Sequence, residues 1–332
     1  MQTSARQFTH TCNLSDSSPA LPTSTENRPL LVTLVDGSRV DIRAMSTEQL
    51  VQLQCEQEPA FARSIVDASK DSELRRQVTS QAYTSVCALL EQLAQREPKP
   101  ADFCMGMDAR YSELVLRLLR QQTRHGIKGS LFEIGFSSGV LLETVARAGY
   151  SVGGLEVVDD LLSQAKKKLD VEHHPRLLLG DFRQMDLSAH RGRYSIVYWN
   201  DVFEHIPQDE ILDYLQVIHG LLSNGGMLVT ITPNWHMRPS DVTVKFCPPR
   251  TEAVGFHLKE YKLAEICELT HAAGFRAIRA PAFISRRRIY DLRWASFTRA
   301  KKRLEPLLER LPYSLAVQAC RRLGFNLTIA TK

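Results

Sequence analysis

The stretch Leu131-Phe132-Glu133-Ile134-Gly135-Phe136-Ser137-Ser138-Gly139 decides the fold of this chain. It joins a short apolar run to residues 140–149, whose apolar side chains recur at helical spacing. A second apolar run, Val152-Gly153-Gly154-Leu155-Glu156, follows and ends in an acid. This order predicts a strand, a glycine-bearing turn, a helix and a second, parallel strand. Gly135 allows a sharp turn, and Gly139 leaves room for a ligand or the sheet to approach the start of the helix.

The acid at the end of the second strand points to a nucleoside ligand. Glu156 is placed where a carboxylate can accept hydrogen bonds from both ribose hydroxyls. Dinucleotide folds instead present G-x-G-x-x-G to a pyrophosphate. Here the glycines are spaced G-x-x-x-G, and Glu133 lies two residues before the first. Because a carboxylate there would repel a pyrophosphate and attract an ammonium group, the pattern favours S-adenosylmethionine over a nicotinamide cofactor.

Strand and helix patterns continue to alternate after this unit. Further strands are predicted at 176–179, 194–199, 227–232 and 277–284, with helices at 159–168 and 211–222 between them. Such alternation predicts an α/β fold with a doubly wound, mostly parallel sheet. Ligands of these sheets bind at the carboxyl ends of the strands.

Five motifs between about residues 128 and 283 resemble, in order, those of class I S-adenosylmethionine-dependent methyltransferases. The type acting on small molecules, which includes the ubiquinone-biosynthesis O-methyltransferases, is the most similar. The motifs are the loop 133–139, Gly180-Asp181-Phe182, Asn200-Asp201-Val202-Phe203-Glu204-His205-Ile206-Pro207, Thr232-Pro233-Asn234, and His257–Tyr261 with Leu263–Phe275. The chain departs from the family at Ser137, which replaces the middle glycine of the loop. A positive φ there would cost a serine about 1 kcal/mol.

The resemblance implies a seven-stranded Rossmann-like sheet whose last strand, at 325–331, runs antiparallel beside the sixth. It also implies S-adenosylmethionine as the cofactor, with Asp181 on the adenine amino group and Phe182 covering the ring. The residues that would contact the cofactor are Glu133, Gly135, Ser137, Gly139, Glu156, Val157, Asp181, Phe182 and Asn200.

Methyl transfer needs a positioned acceptor that has lost its proton, and no covalent enzyme nucleophile. Three histidines are candidate general bases, because imidazole titrates near neutral pH: His205, His236 and His257. A structural role for the Glu-His pair is the alternative. No metal is expected in the leading interpretation.

An alternative to the metal-free interpretation is a divalent ion held by Asp201, Glu204 and His205. These residues fall at i, i+3 and i+4, so one helical turn would bring them to one face. The pattern is similar to the acid-x-x-Glu-His segment of the ubiquinone-biosynthesis enzymes. An ion there would favour a catechol-like acceptor by lowering the pKa of its hydroxyl group.

A chain of 332 residues predicts one catalytic domain with additions. The predicted parts are a disordered tail (1–28), a mainly helical accessory region (29–127), the cofactor-binding core (128–284), a basic helical insertion (285–323) and a closing strand (324–332). The accessory region either covers one side of the active site or serves as a stabilising or dimerising extension. The sequence leaves this choice, and the oligomeric state, open.

The net charge of +5 conceals a basic C-terminal end. Residues 276–332 carry 14 lysines and arginines against 3 acids, a net charge of +11, which leaves −6 for residues 1–275. One helical pattern, 285–311, is predicted to be amphipathic. Its apolar side holds Trp294, Phe297, Leu304, Leu307, Leu308 and Leu311, and its basic side holds Arg299, Lys301, Lys302 and Arg303. The segment is either a lid that meets anionic lipid or an acidic substrate, or a cap on the sheet with ordinary surface charge.

Composition excludes several classes of protein. A hydrophobic content of 43% and a charged content of 24% are typical of globular proteins. No apolar run approaches the length of a membrane span, and no secretory signal precedes the domain, so a cytoplasmic location is expected. The seven cysteines include no C-x-x-C pair, which argues against a disulfide framework or structural zinc.

The leading functional hypothesis is methyl transfer to an oxygen, less favourably to nitrogen or carbon, of a small or lipid-linked molecule. The first alternative is a partner protein that binds the cofactor without catalysis, a hypothesis motivated by Ser137 and the terminal additions. The second is a nucleic-acid methyltransferase, suggested by the basic C-terminal end. This class is disfavoured because strand four ends in Asn200-Asp201-Val202-Phe203 where amino-directed nucleic-acid enzymes carry Asn-Pro-Pro-Tyr.

Overall fold

The computed structural model describes residues 29–96, 108–182, 184–291 and 295–332. The predicted tail at 1–28, the proline-bearing break at 97–100 and Trp294 lie outside the described residues. Among the described residues, no helix combines the length and the apolar character that crossing a bilayer requires.

The N-terminal region forms a small hairpin and three helices. Its elements are β1 (Leu31–Thr33), β2 (Arg39–Asp41), α1 (Thr47–Asp67), α2 (Glu73–Arg96) and α3 (Ala109–Arg124). The Asp36-Gly37 dipeptide predicts a hairpin turn, and the hairpin turns there. The sequence pattern also predicts separate helices at 46–53 and about 59–69, which is wrong because α1 continues through Pro59. Packing of Phe61 and Ile65 against α2 offsets the hydrogen bond that a proline cannot donate.

The remaining elements build the predicted sheet. They are β3 (Ser130–Ile134), α4 (Val140–Arg147), β4 (Ser151–Glu156), α5 (Asp159–Lys168), β5 (Leu177–Leu179), β6 (Tyr194–Asn200), α6 (Ile211–Leu221), β7 (Leu222–Ile231), α7 (Leu263–Ala272), β8 (Ile278–Arg279), β9 (Phe283–Ile284), β10 (Ile289–Tyr290), α8 (Ala295–Leu304), α9 (Tyr313–Leu323) and β11 (Leu327–Thr331). Seven strands pair in the order β5-β4-β3-β6-β7-β11-β8. Among these seven strands only β11 runs opposite to the other six, as predicted for the closing strand.

Two apolar layers hold helices against the sheet. On one face, Leu118 of α3 and Val145 of α4 pack against strand residues such as Ile196. On the other face, Leu215 of α6 packs with Val197. Neighbouring residues of β6 thus point to opposite layers, as the alternation of a strand buried on both faces requires.

The sixth strand is shorter than predicted. The expected strand at 277–284 divides into β8, which joins the main sheet, and β9, which pairs with β10 in a separate two-stranded ribbon. Pro281 lies between the two pieces and has no N–H group for a ladder. The amide of Ala280 donates to the hydroxyl of Thr298 instead, at 3.0 Å.

The prediction of a single amphipathic helix at 285–311 is also wrong. The segment contains β10, α8 and a 3₁₀ turn at Glu305–Arg310, before α9 begins. Pro306 disfavours helical backbone at the residue before it, so α8 ends at Leu304 and the pattern loses its register. Lys301, predicted on the exposed basic side, is buried and donates to the carbonyls of Pro281 and Leu323.

A buried ion pair ties the accessory helices to the core. Arg75 of α2 places its guanidinium 2.8 Å from the carboxylates of Glu210 and Asp209, next to the start of α6. The Arg75 and Glu210 side chains are almost completely buried. The accessory region is therefore held on the core by a specific buried ion pair.

Replacing Arg75 by alanine is expected to lower the free energy of unfolding by about 3 kcal/mol, because the buried Glu210 carboxylate loses its guanidinium partner. Urea denaturation followed by circular dichroism measures the change. Arg76→Ala is the matched control, since Arg76 and its partner Glu73 are solvent-accessible, and a loss of less than about 1 kcal/mol is expected there. Equal losses in the two variants would contradict a stabilising role for the buried pair.

Candidate active site

The loop between β3 and α4 is held in an unusual backbone conformation. Gly135, Ser137 and Gly139 have φ values of +69°, +50° and +76°. Ser137 therefore adopts the positive φ whose cost, about 1 kcal/mol, the sequence suggested for a serine at this position. Its amide donates a hydrogen bond of 2.7 Å to the carboxylate of Glu156, which helps offset this cost.

The two glycines of the loop have different neighbours. A Cβ atom on Gly135 would lie 2.9 Å from Val202, in the segment that follows β6. A Cβ atom on Gly139 would lie 2.7 Å from the Cβ atom of Ala165 in α5. Gly139 thus allows a neighbouring helix to approach, a role that differs from the two predicted for it, whereas Gly135 brings the loop against the end of β6.

Glu156 organises the carboxyl ends of β3 and β4. One carboxylate oxygen accepts from Ser137, and the other accepts from the amides of Val157 and Val158, at 2.8 Å and 3.2 Å. Burial raises the pKa of Glu156, while these three N–H groups act in the opposite direction. The carboxylate retains lone pairs for the ribose hydroxyls that the sequence predicted as its partners.

Glu133 is the other acid of this site. Its side chain is 5% exposed, and its Oε2 atom has no hydrogen-bond partner among the described residues. Burial, together with the charge of Glu156, raises the pKa of Glu133 well above its usual value. A buried carboxyl group with an unpaired oxygen suits the ammonium group of S-adenosylmethionine, because the cation would satisfy the oxygen and favour its charged form.

The remaining predicted cofactor contacts follow the ends of β4, β5 and β6. Val157 is partly exposed, and Asp181 is half-buried just after β5. The Phe182 ring stacks on Tyr214 of α6, with ring centroids 5.1 Å apart. Asn200 ends β6 and donates its side-chain amide to Asp201 at 3.1 Å. All nine predicted residues thus lie at the carboxyl edge of the sheet or in the segments that leave it.

The three candidate bases do not lie together. His205 and His257 are neighbours, with ring centroids 4.9 Å apart. His236 is buried elsewhere, and its Nδ1 atom lies 2.9 Å from Glu309 in the 3₁₀ turn after α8. Glu309 also pairs with Arg238. His236 therefore ties the segment after β7 to the C-terminal helices and is not part of the His205–His257 cluster.

Glu204 completes the cluster. Its side chain is fully buried; Oε2 accepts a hydrogen bond of 3.0 Å from Thr232, and Oε1 has no partner among the described residues. The imidazole Nε2 of His257 lies 4.0 Å from that unpaired oxygen. Glu204, His205 and His257 can each offer one ligand atom, and these three atoms lie within 4.8 Å of one another.

The predicted set of Asp201, Glu204 and His205 is therefore not the set that the structure assembles. Only residues 203–205 form a 3₁₀ turn, and Asp201 precedes it with a φ of +53°. Asp201 is therefore not part of a helical turn across 201–205, although its charge still acts on Glu204. His257, which lies in the segment between β7 and α7, is the third member of the cluster.

The cluster has unusual proton affinities. Burial and the nearby His257 lower the pKa of His205 to about 3. Burial and the charge of Asp201 raise the pKa of Glu204 to about 8. Burial opposes the charge of His257, but a hydrogen bond to Glu260 and the charge of Glu204 outweigh it and raise its pKa to about 9. Titratable groups whose pKa values diverge in this way are typical of functional sites.

Sequence reasoning missed the residues that orient the cluster. Glu260 lies 3.3 Å from the Nδ1 atom of His257 and is itself held by Ser240. Glu58 of α1 accepts from the amide of Phe256, whose carbonyl accepts from His205. The three-residue spacing of His257 and Glu260 was the one available signal, whereas nothing in the pattern of α1 indicated Glu58.

Parts of the chain are similar to known proteins. Residues 132–228 match a family model described as a methyltransferase domain. A ubiquinone biosynthesis O-methyltransferase of Actinobacillus pleuropneumoniae serotype 5b is 24% identical over 162 residues, which cover 45% of this chain and 68% of that protein. A ubiquinone biosynthesis O-methyltransferase of Shewanella pealeana is 27% identical over 118 residues, which cover 35% of this chain and 49% of that protein. A crystal structure of a SAM-dependent methyltransferase from Archaeoglobus fulgidus is 15% identical, with a TM-score of 0.40, and covers 67% of this chain and 94% of that one.

The strand order, the loop between Glu133 and Gly139 and the matching family model define this chain as a methyltransferase. Its seven-stranded sheet is Rossmann-like, with the mostly parallel order expected for the class I S-adenosylmethionine-dependent enzymes. S-adenosylmethionine is its cofactor and supplies an electrophilic methyl group when bound.

Two substitutions are expected to weaken cofactor binding. Glu156→Ala removes the acceptor of three backbone amides and of the ribose, a loss of about 3 kcal/mol or roughly 100-fold in affinity. Gly135→Asp forces a side chain against Val202 at a positive φ and should have at least as large an effect. Calorimetric titration with S-adenosylhomocysteine measures both. The exposed Glu172→Ala variant is the control, and unchanged affinity in the Glu156 variant would contradict the assignment.

Cofactor binding is expected to release a proton from Glu133. The carboxyl group, whose pKa is raised in the free protein, must lose its proton to pair with the ammonium group, so affinity should increase as pH rises through that raised pKa. Titration calorimetry with S-adenosylmethionine in buffers of different ionisation enthalpy detects the released proton. Glu133→Gln should abolish the release, and an identical release in that variant would show that the proton comes from elsewhere.

Proposed function

We propose that the enzyme transfers the methyl group to an oxygen atom of a small or lipid-linked acceptor. The observation that carries this proposal is the buried cluster of Glu204, His205 and His257 next to the cofactor loop. Its segment contacts the loop through Val202, whose side chain would lie 2.9 Å from a Cβ atom on Gly135.

A hydroxyl acceptor needs such a cluster. The oxygen becomes a good nucleophile only as its proton leaves, whereas a neutral amine attacks through a lone pair that it already has. The Nδ1 atom of His205 lies 2.8 Å from the carbonyl of Phe256. Because a carbonyl only accepts, Nδ1 carries the proton and Nε2 keeps its lone pair. This nitrogen and the unpaired Oε1 of Glu204 are two groups that can activate a hydroxyl group, directly or through a cation that they bind.

The names of the sequence relatives support an oxygen acceptor. The matching proteins of Actinobacillus and Shewanella are both named ubiquinone biosynthesis O-methyltransferases. Ubiquinone biosynthesis suggests a hydroxylated aromatic ring as the acceptor of this chain as well.

A surface near the C-terminal end supports a lipid-linked acceptor. Leu304, Leu307 and Leu315 are about half exposed, and together with the exposed Arg303 and Arg310 they form what we call the leucine-arginine surface. Apolar side chains beside cations suit an anionic lipid surface.

The acids of this segment do not oppose such an interaction. Glu305 is buried and accepts from Asn234 at 2.9 Å, while Glu309 pairs with Arg238. The guanidinium of Arg250 donates to the carbonyls of Leu308 and Leu311. The leucine-arginine surface is thus joined to the segment that also carries His257.

Transfer from methyl-deuterated S-adenosylmethionine to matched acceptors tests the proposal. Catechol is expected to yield a methyl ether detectable by mass spectrometry, and benzylamine to yield no product. A prenylated catechol should react faster in vesicles that contain phosphatidylglycerol than in phosphatidylcholine alone, because the arginines attract the anionic headgroups.

Variants separate the lipid surface from the reaction itself. Leu307→Ser should slow turnover of the prenylated acceptor in anionic vesicles and leave turnover of free catechol unchanged. Val171→Ser is the control, because it makes the same kind of replacement, apolar by hydroxyl, at a more exposed position outside this surface. Methylated amines or carbons without methyl ethers would overturn the oxygen proposal, and equal rates in the two kinds of vesicle would overturn the lipid-linked one.

A further inference from the structure

We propose that Glu204, His205 and His257 bind a divalent transition-metal ion. The binding site stands on the geometry alone, while the role of the ion in catalysis rests on the proposed transfer to oxygen. The ion would take one oxygen and two imidazole nitrogens from the chain. Such a set, with further positions open, is typical of catalytic metal sites.

The three ligand atoms already lie close to one another. All are within 4.8 Å, and His257 Nε2 is 4.0 Å from Glu204 Oε1. Bonds of about 2.1 Å in tetrahedral geometry separate ligand atoms by about 3.4 Å. The three ligand atoms therefore have to approach one another by about 1 Å when an ion binds.

Each of the three side chains is fixed by a second contact on its far side. The Nδ1 atom of His205 donates to the carbonyl of Phe256 at 2.8 Å. The Nδ1 atom of His257 donates to the Glu260 carboxylate at 3.3 Å. The Oε2 atom of Glu204 accepts from the hydroxyl of Thr232 at 3.0 Å. Metal-binding histidines almost always donate their second N–H to a carbonyl or a carboxylate, and ligand carboxylates are hydrogen-bonded in turn.

The unpaired oxygen of Glu204 favours the binding of a cation. The residue is fully buried, and its Oε1 atom has no hydrogen-bond partner among the described residues. A buried carboxylate oxygen without a partner is costly. A cation between Glu204 and the two imidazoles would satisfy it, whereas the 4.0 Å separation from His257 is too long for a hydrogen bond.

The donor atoms restrict the kind of ion. Two imidazole nitrogens favour zinc, cobalt or iron over calcium, magnesium and manganese, which prefer sites made of oxygen. Three protein ligands leave at least one position for the acceptor hydroxyl. Coordination there would lower the pKa of the hydroxyl group and make the oxygen nucleophilic at neutral pH.

The assignment differs from the one that the motif alone suggests. The acid-x-x-Glu-His pattern points to Asp201 as the third ligand, but its positive φ places it before the turn that carries Glu204 and His205. Its carboxylate also accepts from Asn200 at 3.1 Å. His257 and Asp201 therefore give opposite expectations in mutagenesis.

Cobalt(II) titration of the full chain, after removal of metals with a chelator, tests the site without cofactor or acceptor. One equivalent of Co²⁺ should bind and give the visible absorption of a site with nitrogen and oxygen ligands. Thiolate charge-transfer bands should be absent, which excludes binding at the cysteines. Binding of no ion, or only of ions with thiolate bands, would overturn the proposal.

Matched variants identify the ligands. His257→Gln and Glu204→Gln should each weaken Co²⁺ binding at least about 100-fold, since losing a ligand costs more than losing an outer contact. Asp201→Asn should weaken binding less than either of these variants, because it removes a nearby charge and not a ligand atom. Loss of binding in the Asp201 variant with binding retained in the His257 variant would overturn the assignment.

A measurement on the unsubstituted chain covers the case in which a variant fails to fold. X-ray absorption of the zinc-loaded protein should show two imidazole nitrogens and no sulfur among the ligands, and any sulfur ligand would overturn the site. Failure here leaves the acceptor assay unaffected, because that assay reports the atom that is methylated. Equally, a product methylated at nitrogen would leave the measured metal affinity as it is.

Discussion

The structure depends on the carboxylate of Glu156, which accepts backbone hydrogen bonds from two segments at once. Ser137 belongs to the loop after β3, and Val157 and Val158 follow β4. These bonds hold the loop at a strained residue and set the distance between the two strand ends. They also keep Glu156 near Glu133, whose unpaired oxygen faces the same region. Two acids at the ends of neighbouring parallel strands are the feature that suits a cationic amino acid joined to a nucleoside.

The chemistry beyond the cofactor is assembled from three separate parts of the chain. The segment after β6 supplies Glu204 and His205, and the segment between β7 and α7 supplies His257. The accessory helices contact Phe256, next to this cluster. Glu58 accepts a hydrogen bond from the Phe256 amide, and the ring of Tyr83 packs edge-on against the ring of Phe256, with centroids 5.0 Å apart. The accessory region thus contacts the segment that carries His257, and the buried Arg75 holds the region on the core.

The sequence was informative where a local pattern determines the structure. The strand ends, the turn at Gly135 and the place of Glu156 follow from periodicity and from the spacing of glycines and acids. It failed where a distant contact decides. The helix through Pro59 is supported by packing against α2, and the third member of the histidine cluster is set by the path of an irregular loop, which no periodicity describes. Pro306 is a readable signal, since the residue before a proline disfavours helix. The apolar spacing on both sides of it nevertheless matches one continuous helix.

A crystal structure of the chain with S-adenosylhomocysteine tests the central claim most directly. The account predicts that the ribose hydroxyls lie within hydrogen-bonding distance of Glu156 and the amino group next to Glu133, with the backbone of Gly135 between them. The sulfur atom should face the segment that carries Glu204. A nucleoside bound elsewhere, or bound in the reverse direction so that the adenine lies against Glu133, would contradict it.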